Sequence, residues 1–460
     1  MQADSRKIIS ENIVADRSKL KIICVFLHRI YFGRIPYERQ YRGKKRKAMN
    51  ITELQQSYAS HPNVEGVCRL LKDNSVRHLY CGGLYASAAS LFSSVLVQRA
   101  TCPLVFILGD MEEAGYFYHD LTQILGTEQV LFFPSSFRRA IKYGQKDAAN
   151  EILRTEVLSR LQKGEEGLCV VTYPDALAEK VVSRKELGEN TLKLHAGERV
   201  DMNFVTDVLR SYGFEYVDYV YEPGQYAVRG SIIDVFSFSS EYPFRIDFFG
   251  DEVESIRTFE VETQLSKEKK ESIVIVPDLS HSLEKKGSGG MVSFLDFLPS
   301  DSLLAMRDFL WLRERIQTVH DESLTPQAIA ARESEENGAI TLEGKLIDGG
   351  EFTLRALDFR RMEFGNKPTG TPDATVSFHT TVQPIFHKNF DMVAESFREY
   401  LSRHYTIYIC SDSLKQTDRI RAIFEDRGDN ISFTAVERTL HEGFADDTLR
   451  ICVFTDHQLF

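Results

Sequence analysis

The clearest candidate for chemistry is a turn rich in small residues that follows a short apolar run. Residues 81–90 read CGGLYASAAS and lead directly into a helical pattern. A phosphate-binding P-loop lies between a strand and a helix and requires the order G-x-x-x-x-G-K-[ST], in which the lysine neutralises phosphate charge. Gly83 and Ser90 fit the first and last positions, but Ala88 and Ala89 replace the second glycine and the lysine. The pattern indicates either a degenerate P-loop that does not hydrolyse nucleotide or an ordinary strand-to-helix turn.

A second group of reactive residues lies in the segment 222–266, where fixed charges alternate with apolar residues around a Gly-Asp turn. Within residues 244–249 the period of two directs alternate side chains into a core and leaves Arg245, Asp247 and Phe249 facing outward. An arginine, a carboxylate and an aromatic ring on one strand face are typical of a surface that binds a partner protein. The alternative is a sheet edge whose charges only keep the strand soluble.

The remaining reactive residues lack the spacing that catalysis or metal binding needs. The segment Asp278-Leu279-Ser280-His281 lacks the glutamate of a helicase Asp-Glu-x-His box, so we interpret it as a loop. After His441 and Glu442, Ala445 stands where a zinc-binding H-E-x-x-H motif needs its second histidine. The sequence therefore predicts no metal site.

The elements that must position these residues show two kinds of pattern, an alternation of strands and helices and a region of mostly strands. Strand and helix patterns alternate from residue 77 to 177, as in a parallel sheet covered by helices. The pattern becomes mostly β from about 192 to 276, and a second α/β alternation begins near 376. Asp348-Gly349-Gly350 indicates a turn. The sequence stops after a predicted strand, so we expect the chain to be cut from a longer protein.

The chain has 460 residues, which exceeds one ordinary core and predicts about three domains. Residues 1–48 hold 13 Lys and Arg against 4 Asp and Glu, whereas the remainder holds 43 against 63. This acidic body disfavours nucleic-acid binding over the whole surface. Seven scattered cysteines and the lack of a membrane-spanning run predict a reduced, cytoplasmic protein that has no contact with a membrane.

Two basic stretches are exceptions to the acidic character. Residues 1–48 are interpreted as an extension that is disordered or not native, although their lysine cluster could bind a polyanion. A second stretch follows the strand near 130–133 and is either the solvated start of a helix or a contact for DNA or a neighbouring domain. Its members are Phe137, Arg138, Arg139, Lys142, Tyr143 and Lys146.

The residues 223–236, PGQYAVRGSIIDVF, and 243–257, PFRIDFFGDEVESIR, closely resemble the bacterial transcription-repair coupling factors. The resemblance extends from Met49 to Phe460. It implies an α/β fold in which a degenerate P-loop parallel-sheet domain carries an inserted β-rich domain and is followed by a smaller α/β domain. The corresponding divisions are the extension (1–48), a domain like the first domain of UvrB (49–190), a UvrA-binding insertion (191–280), the rest of the first domain (281–375) and a third domain (376–460).

The resemblance also implies which residues bind UvrA. Arg229, Arg245 and Asp247 fall on positions matching the UvrA contacts of UvrB-like proteins, and Ala227 replaces one further arginine. Phe249 and Tyr226 are expected neighbours of this surface, from strand geometry more than from the resemblance. The region after residue 133 looks too short for the damage-probing hairpin of UvrB.

Together with the missing P-loop lysine, the resemblance implies a recruitment module without enzymatic activity, which mimics UvrB and links UvrA to stalled RNA polymerase in transcription-coupled nucleotide excision repair. In the full-length family, ATP and magnesium belong to translocase motors that would lie beyond Phe460, so no cofactor is expected here. The resemblance further implies that RNA polymerase and double-stranded DNA are partners in the full-length family and that a C-terminal domain there masks the UvrA surface. The alternatives are an ATP-dependent, damage-binding helicase like UvrB and a DNA-binding fragment.

Overall fold

A computed structural model describes residues 48–136, 148–278, 290–323 and 344–460. The described residues form two compact units, one within 184–290 and the other within 46–183 and 291–460. Nearly all of the predicted extension, the basic stretch Phe137–Lys146 and most of the segment Asp278–His281 lie outside the described residues.

The larger unit contains a sheet whose seven described strands are all parallel to their neighbours. Its central strands read as continuous apolar runs, because helices cover parallel sheets on both faces. Leu104–Ile107 and Cys169–Thr172 are buried along their whole length. The strand order is Ala374–Ser377, His78–Gly82, Arg360–Glu363, Leu303–Met306, Leu104–Ile107, Cys169–Thr172 and Val130–Phe133.

Helices pack around this sheet and have recognisable sequence signals. Asp110 caps Met111–Leu125 by accepting hydrogen bonds from the N–H groups of Glu112 and Glu113, and Gly126 with φ +82° ends that helix. The other described helices of the larger unit before residue 375 are Ile51–Ala59, Pro62–Leu70, Ala88–Arg99, Ala148–Lys163, Pro174–Ala178, Phe294–Phe297, Phe309–Ser323 and Gly349–Ala356. The short strands Val181–Val182 and Met291–Val292 pair with each other.

A second, six-stranded sheet in the larger unit contains the α/β pattern of residues 376–460 together with a strand from the other end of the described chain. Met49–Asn50 pairs in parallel with Thr434–Glu437. The complete order is Met49–Asn50, Thr434–Glu437, Thr406–Ser411, Ile451–Thr455, Phe444–Asp446 and Thr380–Val382. The helices of this region are Phe390–Ser402, Leu414–Asp426 and Asp456–Leu459.

The smaller unit is built on a six-stranded, mostly antiparallel sheet. The strand order is Ser266–Lys270, Glu252–Phe259, Phe244–Phe249, Ile232–Val235, Gln225–Arg229 and Glu215–Tyr216. One sheet face packs on a core shared with the helix Met202–Ser211 and with the strand pair Leu192–His195 and Ser272–Ile275. The unit also contains the helix Arg184–Glu189. The predicted fold class, parallel α/β sheets together with a β-rich part, is therefore confirmed.

Two local predictions were wrong. Asp348-Gly349-Gly350 is the start of the helix Gly349–Ala356, because the Asp348 side chain accepts a hydrogen bond from the N–H of Glu351. The last residues also form a short helix, Asp456–Leu459, which begins with a capping box formed by Thr455 and Gln458.

Candidate functional site

The outward face of the β-rich sheet has the alternation that the sequence predicted. Along Phe244–Phe249, the first, third and fifth residues are buried against the core, while Arg245 and Asp247 are half-buried and Phe249 is 78% exposed. Phe244–Phe249 is an interior strand of the six-stranded sheet, paired on both sides. The charges of Arg245 and Asp247 therefore do not serve to protect a sheet edge, a task that suits the lysine-rich edge strand Ser266–Lys270.

Asp234 lies at the centre of this face and holds two of the predicted arginines. Its side chain is 1% exposed, and its carboxylate accepts hydrogen bonds from Arg245 Nε at 2.8 Å and Arg245 Nη2 at 2.9 Å. Arg229 donates to the same carboxylate. A buried carboxylate needs such partners because its desolvation is otherwise costly. We name Arg229, Asp234 and Arg245 the arginine clamp.

Aromatic rings and a backbone carbonyl further restrict the two arginines. The Arg245 guanidinium lies 4.5 Å from the Phe259 ring centroid, and that of Arg229 lies 5.1 Å from the Tyr219 centroid. Arg245 Nη1 also donates to the carbonyl of Gln264 at 3.1 Å. The hydrogen bonds to Asp234 raise the pKa of Arg245, so its charge is retained. Both guanidinium groups are thus oriented before any partner binds, which lowers the entropic cost of binding.

The other residues predicted for this surface differ in their accessibility. Asp247 accepts a hydrogen bond from Ser231 Oγ at 3.3 Å and stays partly exposed. Tyr226 does not lie at the surface, contrary to the expectation, because strand alternation places it in the core, where it is 1% exposed. Its hydroxyl accepts a hydrogen bond from Arg210 Nε at 3.1 Å. Ala227, opposite Asp234, is also buried.

The predicted degenerate P-loop lies between the strand His78–Gly82 and the helix Ala88–Arg99. Gly83 has φ +76°, and a Cβ atom there would lie 2.1 Å from the carbonyl oxygen of Phe378, so only glycine fits. Ala88 and Ala89, which replace the second glycine and the lysine, are 0% and 1% exposed. Ser90 is buried and donates to Asp120 Oδ2 at 2.9 Å. The residues at P-loop positions are thus engaged in packing.

The backbone segment 441–443 lies against the N-terminal end of this helix, where a P-loop would bind phosphate. The N–H of Glu442 donates to Ser87 Oγ at 3.0 Å, and the N–H of Ser87 donates to the Glu442 carbonyl at 3.3 Å. The N–H of His441 donates to Asp120 Oδ1 at 2.7 Å. The His441 ring stacks on Tyr116 with a centroid distance of 3.5 Å. These contacts use groups that would otherwise be available to an anion.

Sequence reasoning identified neither the role of Asp234 nor the segment 441–443. The sequence did contain a local signal for Asp234, which is a carboxylate between the core residues Ile233 and Val235. Its strand follows directly after the turn that begins at Arg229, so Asp234 returns close to that arginine. Residues 441–443 gave no such signal, because Glu442 and Ser87 are 355 positions apart. In the sequence, the only recognisable feature of His441 and Glu442 is an incomplete zinc motif.

The described part of the chain offers neither a metal site nor a membrane-spanning helix. No described cluster of three or more His, Cys, Asp or Glu side chains has a geometry that could hold a metal ion. Among the described helices, none combines the length and the apolar character needed to cross a membrane.

The fold and the site define a protein in which α/β sheets accompany a β-rich unit that carries the arginine clamp on its outward face. Residues 192–281 match the sequence profile of the UvrB interaction domain family. These residues include the arginine clamp together with Asp247 and Phe249.

Longer comparisons identify the family that the chain resembles. It is 29% identical to the transcription-repair-coupling factor of Escherichia coli strain K12 over 198 residues, covering 43% of this chain and 17% of that protein. It is 21% identical to the factor of Bacillus subtilis strain 168 over 456 residues, covering 82% of this chain and 38% of that protein. The factor of Staphylococcus aureus strain RF122 is 22% identical over 442 residues, with the same two coverages of 82% and 38%.

These comparisons confirm the predicted resemblance to transcription-repair coupling factors. The chain spans two fifths or less of the length of the curated relatives that it matches.

Proposed function

We propose that this chain is a recruitment module for transcription-coupled nucleotide excision repair, which binds UvrA through the outward face of its β-rich sheet. It would occupy the position that UvrB takes on UvrA and would connect UvrA to RNA polymerase stalled on double-stranded DNA. In a full-length protein, a C-terminal domain would mask this face until polymerase is engaged. The six cysteines among the described residues are unpaired, which fits a reducing cytoplasm.

The observation that carries the proposal is the arginine clamp within the region that matches the UvrB interaction domain. Asp234 fixes two guanidinium groups beside the partly exposed Asp247 and the 78% exposed Phe249. Oriented arginines beside an exposed aromatic ring have the composition of a binding hot spot. The guanidinium groups give directional contacts to carboxylates, and the ring provides apolar area to bury.

We further propose that the chain has no nucleotide-hydrolysing activity of its own. Ala89 stands at the lysine position and is buried, and the peptide groups of His441 and Glu442 occupy the helix end where phosphate would bind. These contacts disfavour the alternative of an ATP-dependent helicase. The alternative of a DNA-binding fragment depends on basic stretches outside the described residues.

Titration calorimetry of the chain with UvrA tests the proposal. Arg245→Ala should weaken binding by about 2–5 kcal/mol, the cost of removing one partner from a desolvated charge contact. Arg229→Ala should cost less, because its side chain is 36% exposed against 17% for Arg245.

Arg403→Ala provides a matched control, because Arg403 is an exposed arginine of the larger unit whose ion pair with Glu399 spans one helical turn. It should bind UvrA as the wild type does. Circular dichroism should verify that each variant is folded. Equal UvrA affinity for Arg229→Ala, Arg245→Ala and the wild type would overturn the proposed site, and a folded wild type that does not bind UvrA would overturn the proposed function.

A further inference from the structure

A row of cations crosses the β-rich sheet beyond the arginine clamp. Arg245 lies directly opposite Arg257 on the next strand, and Arg257 lies directly opposite Lys269 on the strand after that. Directly opposed residues of antiparallel strands project to the same side of a sheet. Because Asp234 opposes Arg245 from the other side, all four side chains share the outward face.

The two outer cations differ from Arg245 in lacking an acidic partner. Asp234 neutralises Arg245, whereas neither Arg257 nor Lys269 forms an ion pair with any carboxylate in the described ranges. Among the described residues, the Arg257 guanidinium donates from Nη2 to the Ser255 hydroxyl at 3.1 Å and to no other side chain, and both cations are exposed. Like charges placed directly opposite each other destabilise a sheet. The row of cations therefore destabilises the free sheet, and an acidic partner that binds to it would relieve the repulsion.

Protection of the sheet edge accounts for only part of the row. Lys269 is on the edge strand Ser266–Lys270, where a lysine discourages pairing with other chains. Arg257 is on the interior strand Glu252–Phe259, where no edge needs protection. Its exposed guanidinium requires another explanation.

We propose that Arg257 and Lys269 form a second half of the binding face and contact an acidic patch on the partner protein. This inference rests on the proposed function, and the partner is therefore UvrA. Ala227, Asp234, Arg245 and Arg257 occupy one row of the sheet. The row has a buried alanine on one side of Asp234 and supplies an extra cation on the far side of Arg245. Compared with UvrB-like proteins, which have an arginine at the position of Ala227, the charged contact with UvrA would lie closer to the strand Ser266–Lys270.

The charges around the row favour a protein partner over nucleic acid. Asp247 lies on the same face one row away, opposite Ser255, and two exposed carboxylates lie at the far end of the same hairpin, Asp251 in its turn and Glu252 at the start of the next strand. A phosphate backbone presents negative charge continuously and would meet these carboxylates. A protein surface can place acidic groups against Arg257 and Lys269 while avoiding the carboxylates.

The test is a UvrA titration of the complete chain at two salt concentrations. Exposed ion pairs are worth modest energies, so Arg257→Ala and Lys269→Ala should each weaken binding by about two- to fivefold. The double charge reversal, Arg257→Glu with Lys269→Glu, should weaken binding by about tenfold or more and reduce the salt dependence. Arg257→Lys should bind like the wild type, because it retains the charge.

Lys193→Ala serves as the matched control, since Lys193 is an exposed cation of the separate strand pair Leu192–His195 and Ser272–Ile275. Wild-type affinity in the double reversal, while Arg245→Ala binds weakly, would overturn this inference and leave the proposed function intact. Absence of UvrA binding by the wild type would instead overturn the proposed function. A parallel titration with duplex DNA in which the reversal abolishes DNA binding but not UvrA binding would reject a protein as the partner.

Discussion

Replacing Asp234 with alanine should destabilise the β-rich sheet and weaken UvrA binding together. The carboxylate is 1% exposed and accepts two hydrogen bonds from Arg245 and one from Arg229. Without it, two guanidinium groups remain close together with no acid between them. The variant thus combines an unpaired buried charge with repulsion between like charges.

The expected loss of stability can be estimated from the exposure of each partner. Removing one member of a buried ion pair costs about 3–5 kcal/mol. The Arg245 side chain is 17% exposed and therefore not fully buried. Its contribution to the loss of stability should thus lie at the lower end of that range, at about 3 kcal/mol. Arg229 is 36% exposed, so solvent screening limits its share to at most about 1 kcal/mol. We expect about 3–4 kcal/mol for Asp234→Ala and about half of that for Asp234→Asn, which keeps an acceptor oxygen.

Urea denaturation followed by far-ultraviolet circular dichroism measures this change. With a slope of about 1–3 kcal/mol per molar urea, the transition of the β-rich sheet should move by about 1–4 M. The fluorescence of Trp311, the single tryptophan, reports on the larger unit and should show an unchanged midpoint. A double-mutant cycle with Arg245→Ala should show a coupling energy of about 1–3 kcal/mol. Wild-type stability and UvrA affinity in both Asp234 variants would refute the assigned role of the carboxylate.

Three further predictions separate binding from folding. Phe249→Ala should leave the free energy of unfolding within about 0.5 kcal/mol of wild type, because the ring is 78% exposed, but should weaken UvrA binding by at least about 1 kcal/mol in the same calorimetric titration. Tyr226→Phe should cost about 1 kcal/mol of stability through loss of the hydrogen bond from Arg210, with UvrA affinity unchanged; a binding defect in a stable variant would place Tyr226 in the interface. Ala89→Lys should not create ATP binding in a calorimetric titration and should lower the denaturation midpoint, since it buries an unpaired amine; measurable ATP affinity would show that residues 441–443 do not block the site.

The sequence was sufficient to predict secondary-structure elements that have a strong local periodicity. The strand Phe244–Phe249 shows the predicted alternation of buried and outward side chains, because a period of two acts over a few residues. Met49–Asn50 was not predicted as a strand, because two residues have no periodicity and their partner strand, Thr434–Glu437, lies at the other end of the described chain. Long-range pairing of this kind leaves no local signal.

The candidate site was predictable in its composition but not in its connections. The outward positions of Arg245 and Phe249 follow from the period of two, whereas Tyr226 was misplaced because the same alternation was not applied to its own strand, Gln225–Arg229. The central role of Asp234 depends on the register between three strands, which fixes it beside both arginines. Register is set by the turns and by the buried face together, and a single strand does not determine it.

Competition for UvrA tests the central claim most directly, because the chain is proposed to mimic UvrB. Unlabelled chain would be titrated into a complex of UvrA with fluorescently labelled UvrB, and the fluorescence anisotropy of the label would be followed. The wild type should displace UvrB, and Arg245→Ala should require at least about 30-fold more protein, the equivalent of 2 kcal/mol. Labelled UvrB that stays bound to UvrA at saturating wild-type chain, or equal displacement by wild type and Arg245→Ala, would contradict the account.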